Sequence, residues 1–91
     1  MAIEGRVYDQ LTGRPIEGAI IRYVVVHSYF PEIYAGKPDE VVSDNQGKFI
    51  LQMTVHDTDN IKIVVEAKGY KPFEQRLDLL GDRMMNIGLT P

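Results

Sequence analysis

Few residues in this chain have the type and spacing for chemistry, and the sharpest set is Ser43-Asp44-Asn45-Gln46-Gly47-Lys48-Phe49. An Asp three residues ahead of a Gly opens either a calcium loop or a tight turn. A calcium loop of the helix–loop–helix type needs several oxygen ligands at alternate positions and a bidentate Glu farther on. No second carboxylate follows Asp44 here, and Lys48 puts a positive charge where the cation would sit. A turn needs nothing beyond what is present. The Asp carboxylate accepts a backbone N–H two residues on, and Gly adopts positive φ without a Cβ clash. The stretch therefore predicts a strand-joining turn, with Gly47 at positive φ and Asp44 bonded to main-chain N–H.

The other polar groupings reduce in the same way. His56, Asp57 and Asp59 stand together, but no His or Cys spacing matches a metal site, so they predict a solvated connection. Asp39 and Glu40 precede Asp44 without a pattern that converges. Gly13 and Gly18 lack the Gly-Lys-Ser/Thr and following helix of a phosphate loop. There is no cysteine nucleophile, and neither Ser28 nor Ser43 lies in a Gly-x-Ser-x-Gly elbow. His27 and His56 are the two histidines, and neither belongs to a catalytic set. The residues predict a protein that is not an enzyme and holds no cofactor or metal.

The bulk properties narrow the partners. The 91 residues suffice for one domain, residues 1–91, with a thin core. The formal net charge is -3 and the pI about 5.2, which disfavours nucleic acid and anionic membranes. The longest pure aliphatic run, Val24–Val26, is far short of a membrane span. MAIEGRVYDQ has no basic start followed by an apolar stretch. With cysteine absent, the expectation is a cytoplasmic location by default, unless the chain is a domain cut from a larger protein.

The elements that must position these residues are strands. Ile3, Gly5 and Val7 alternate with polar neighbours. Residues 17–26 form a longer strand with Ala19, Ile21, Tyr23 and Val25 on one face and Ile20, Arg22, Val24 and Val26 on the other. Short alternating runs follow at 40–43, 49–55, 61–67, 73–79 and 85–89. Asp9–Pro15 reads as a turn, and Lys68–Pro72 as a bend with Pro72 at an edge. His27–Pro38 reads as a loop by its Pro and Gly. Residues 78–85 hold at most one helical turn. Seven short strands with turn signals between them predict an all-β sandwich. Parity assigns the core to Val7, Ala19, Ile21, Tyr23, Phe49, Leu51, Ile63, Val65, Tyr70, Leu77, Ile87 and Leu89.

Five stretches carry a resemblance. They are Ile3–Val7 with Asp9 and Thr12-Gly13, Pro15-Ile16-Glu17-Gly18-Ala19, Ser43–Phe49, Val65-Glu66-Ala67-Lys68-Gly69-Tyr70, and Leu89-Thr90-Pro91. In this order and spacing the chain resembles the carboxypeptidase regulatory-like domain family. That resemblance implies a seven-stranded Greek-key β-sandwich of the transthyretin-like (prealbumin-like) kind, acting as an accessory or docking module. A hydrolase shares the transthyretin-like fold, the hydroxyisourate hydrolase, but its site depends on a terminal Tyr-Arg-Gly-Ser. This chain ends Gly88-Leu89-Thr90-Pro91, which leaves that activity as the weaker alternative.

Two features bear on partners. Ile20, Val24, Val26, Ile50 and Val64 point away from the predicted core, where a half-exposed sheet normally carries polar residues. They predict a surface for a protein partner or a second copy. Tyr29, Phe30 and Tyr34, within 27–38, are an alternative platform for carbohydrate, or else a plug for the open end of the sandwich.

Overall fold

The computed structural model describes residues 2–29, 32–35, 38–53, 59–77 and 83–91; of residues 27–29, 32–35 and 83 the main chain alone is described. Eight strands are present among them: β1 (Ala2–Asp9), β2 (Ile20–Tyr29), β3 (Glu32–Ala35), β4 (Asp39–Val42), β5 (Lys48–Gln52), β6 (Asn60–Glu66), β7 (Phe73–Leu77) and β8 (Arg83–Leu89). They form two sheets. One is three-stranded, ordered β5-β1-β8, with β1–β5 antiparallel and β1–β8 parallel. The other is five-stranded, ordered β3-β2-β6-β7, with β4 also paired to β2.

The period-2 reading sets the faces correctly. Ile3, Val7, Phe49, Leu51, Met85, Ile87 and Leu89 of the three-stranded sheet are buried. So are Ala19 and, from the five-stranded sheet, Ile21, Ile61, Ile63, Val65 and Leu77; Ile16, from the β1–β2 connection, joins them in one cluster. Ile21 and Ile63 are fully buried, whereas Ile20, Val24 and Val64 are only half-buried and lie outside that cluster. Two members of the expected core are corrected: Tyr23 and Tyr70 are half-buried. Each phenol carries its hydroxyl to the rim, where an acid accepts it: Tyr23 donates to Asp39 (3.3 Å) and Tyr70 to Asp9 (2.8 Å). Ile3, Ile16, Ile61 and Met85 are core residues absent from the expected set.

The count of strands is also corrected. Residues 27–38 are not wholly a loop. β2 continues to Tyr29, and β3 returns along it, pairing Val26 with Ala35 and Tyr29 with Glu32. Pro31 and Gly36 signal breaks, but in the sequence they flank β3, whose Ile33 and Tyr34 favour strand. β2 begins at Ile20 rather than residue 17, because Gly18 turns the chain at φ 79°. The stretches 54–58 and 78–82, which carry the ends of two expected strands and most of the expected helical turn, lie outside the described residues, as does most of the His56–Asp59 cluster; the last residues of that turn, 83–85, are strand in β8.

Gly5 shows why this three-stranded sheet closes over a phenylalanine. It pairs with Phe49 across β1–β5, and a Cβ at residue 5 would run into the Phe49 ring. The missing side chain is what lets the ring lie flat on the strand.

Candidate functional site

The stretches that carry the resemblance gather at one end of the sandwich, and each has a structural duty there. At the Asp44 turn, Gly47 has φ 75°. Asp44 Oδ1 accepts the N–H groups of Gln46 (2.8 Å) and Lys48 (2.9 Å). The main chain closes the turn, Asp44 N–H donating to Lys48 O and Gly47 N–H to Asp44 O, both at 2.9 Å. These bonds hold the Asp44 carboxyl below its ordinary pKa, the N–H of Lys48 first among them. The turn expectation holds: Gly47 is at positive φ and the carboxylate accepts main-chain N–H groups.

Asp9 does the same for the β1–β2 connection. Its Oδ1 accepts the N–H groups of Leu11 (2.8 Å) and Thr12 (3.0 Å), and its Oδ2 accepts the Tyr70 hydroxyl. The Tyr70 bond is the largest cause lowering the Asp9 pKa, and the same bond raises that of Tyr70. Ser43 is buried and ties the start of β2 to the end of β4, a role its place in the Ser43–Phe49 stretch did not indicate. Its Oγ accepts from Ala19 N–H (2.9 Å) and donates to Ile16 O (2.7 Å). Its two bonds run to residues more than twenty positions away, which the local sequence does not show. Among the described residues, no group of three or more His, Asp and Glu converges as a metal site, and no helix is long and apolar enough to cross a membrane. Asp59 is buried, contrary to a solvated connection.

The outward apolar residues divide between the sheets. Ile20, Val24, Val26 and Val64 share the outer face of the five-stranded sheet, but charge interrupts them. Arg22, which pairs with Val64 in register, bridges Glu40 (3.3 Å) and Glu66 (3.0 Å), and Lys62, opposite Val24, bridges Glu74 (3.1 Å). Glu66 is first among the groups that raise the Arg22 pKa. The face is a checkerboard of aliphatics and ion pairs rather than a continuous patch.

Ile50 is on the other sheet, and there the arrangement differs. Ile50 (54% exposed) and Met84 (68%) flank Glu4 in register across β5-β1-β8. Val42 (59%), at the end of β4 and paired with Ile20 in the five-stranded sheet, lines one groove with them. Together with Gly5, Arg6, Lys48, Phe49 and Asn86 they line an open groove of about 750 Å3. Met84 and Val42 were missed in the sequence, where neither belongs to a run of outward aliphatics; Met84 joins Ile50 only once β1 lies between β5 and β8, and Val42 reaches the groove from β4 of the other sheet. Of the proposed platform, Phe30 lies outside the described residues. Tyr29 and Tyr34 are placed by main chain alone, opposite Glu32 and His27.

No family model matches this chain, and no curated protein matches it in sequence. Among solved structures it is similar to the crystal structure of chlorocatechol 1,2-dioxygenase from Pseudomonas putida, at a TM-score of 0.59 and 19% identity. The likeness covers 98% of this chain and 58% of the dioxygenase. At that identity it is a likeness of β-rich fold, and this chain spans little more than half of the longer protein.

Proposed function

We propose that this chain is a non-enzymatic β-sandwich interaction module, with the Greek-key, transthyretin-like arrangement of the carboxypeptidase regulatory-like domains. The convergence of the motif residues supports the family reading. Asp9, Ser43, Asp44 and Tyr70 bond to main chain or to each other at one end, so the residues most diagnostic of the resemblance are fold determinants. A group occupied in this way is not available for turnover, which favours binding over catalysis.

The observation that carries the interaction reading is the exposure of Val42, Ile50 and Met84 around one groove. Solitary exposed aliphatics are ordinary, but three around one concavity mark a partner site. The test is photo-cross-linking in the native host, with a photoreactive residue placed at position 50, 84, 24 or 11. Positions 50 and 84 should give a discrete adduct with another protein. Leu11, an isolated exposed apolar residue on a turn, should give none. Equal or absent labelling at all four positions overturns the reading.

A further inference from the structure

The two outer faces treat their cations differently. On the five-stranded sheet, Arg22 and Lys62 each meet a carboxylate. On the three-stranded sheet, Arg6 and Lys48 are direct cross-strand partners, both exposed, with Asn86 on the far side of Arg6. Among the described residues no ion pair reaches either of them. Two acids share the groove with them: Glu4, one row along between Ile50 and Met84, and Asp44, whose Oδ1 is on the backbone of its own turn and whose pKa those backbone bonds and then the Lys48 charge lower; neither is ion-paired with Arg6. Like charges directly opposed on a sheet are unfavourable, and an anion placed between them relieves that repulsion. One row along the same face, about 7 Å away by strand geometry, are the aliphatics Ile50 and Met84.

One wall of the groove is also an open strand edge. Val7 N–H donates to Gly47 O (2.7 Å), which sets the phase of the β1–β5 ladder. Main-chain groups of Phe49 and Leu51 then face β1, and those of Lys48, Ile50 and Gln52 face away. The N–H and C=O of Lys48 bond to Asp44. Those of Ile50 and Gln52 remain on an edge that no described strand pairs with.

We infer that the groove receives an extended segment of another polypeptide that carries a carboxylate within two residues of an aliphatic side chain. The carboxylate sits at Arg6 and Lys48, the aliphatic group among Val42, Ile50 and Met84, and the main chain on the edge at Ile50 and Gln52. This is strand addition, in which main-chain bonds supply affinity and alternate side chains supply selectivity. Two cations are too few to hold a nucleic acid on an acidic chain, whereas they match one carboxylate.

The inference rests on the interaction reading, and its test is separate from the cross-linking. The labelled full chain is titrated with a short synthetic peptide alternating valine and glutamate, and with its valine–lysine counterpart, by amide NMR. The glutamate peptide should shift the amides of Ile50 and Gln52 and slow their exchange, with affinity falling as salt rises. Lys48→Glu and Arg6→Glu, both at exposed positions, should each weaken it about tenfold while leaving the thermal melt in place. Four results overturn the inference: equal binding of the lysine peptide, no binding of either, shifts confined to the outer face around Arg22 and Val24, or a second copy of the chain found seated on Ile50. Adducts at position 50 alongside any of these would keep the interaction reading and remove this partner.

Discussion

Gly47 joins local backbone geometry to a tertiary contact. Its φ of 75° disfavours any side chain, and a Cβ there would also meet the carbonyl oxygen of Val7. Gly69, at φ 86°, has nothing near its missing Cβ. Gly69→Ala should therefore cost about 1 kcal/mol, the conformational share alone. Gly47→Ala should cost clearly more, toward ~3 kcal/mol, in paired urea titrations; equal costs would show that the Val7 contact yields freely. Asp9 and Asp44 set the acid limit of the same end. Both carboxyls are held below the ordinary 3.8, so their contribution is present above that value and is lost as pH falls through the folded pKa. Urea midpoints should drop below about pH 4, and the Asp9→Asn and Asp44→Asn variants should show a shallower drop. An acid limb unchanged in both variants would assign it to other carboxyls.

The link between strands is where Tyr70 acts. It follows β6 by a few residues and bonds Asp9 at the end of β1, while Lys71 N–H donates to Thr90 O beyond β8 (2.7 Å). The β6–β7 bend is thereby fastened to the opposite sheet. The Tyr70 pKa is raised above 10.0, chiefly by the Asp9 bond. A raised pKa means stability that is full below the unfolded value and lost as pH climbs through the folded one. Tyr70→Phe should flatten that alkaline loss, and combined with Asp9→Asn it should be less than additive, since one bond is removed twice. Additive losses would mean that the two residues act separately. Phe49 fastens β5 to β1 by its ring on Gly5. Phe49→Ala should cost about 3–5 kcal/mol, a large part of the ~5–15 kcal/mol that holds a typical domain. A melt within a few degrees of the parent would show that the ring is not the anchor of this strand.

For the two sheets together, the question is which outer face meets another protein. The aliphatics of β2 are diluted by Arg22 and Lys62 with their acids, while Val42, Ile50 and Met84 converge on a groove. Ile50→Lys should abolish the adduct formed from position 84, because a charge would be set into the apolar part of the contact. Val24→Lys should leave that adduct intact. The reverse pattern, with Val24→Lys alone abolishing it, would return the partner to the five-stranded face. Both residues are exposed or half-buried on a strand, so both variants should fold, and circular dichroism checks that they do.

Alternation alone was enough to assign the faces of β1, β5, β6 and most of β2, because a period of two leaves each strand a single way to bury its aliphatics. The Asp44 turn was legible for a related reason: its bonds lie within a few residues, so every partner is in the local sequence. What local sequence does not contain is which strands become neighbours. The pairing of β1 with β8 joins residues more than seventy positions apart and sets Met84 beside Glu4 and Ile50. The pairing of β2 with β4 and β6 interleaves Val24 and Val64 with ion pairs. Tyr23 and Tyr70 have core parity, yet their hydroxyls needed acids that only the packed sheets bring near. Parity decides whether a side chain points in or out; the company it keeps on that face is decided by long-range pairing, and the groove exists only in that company.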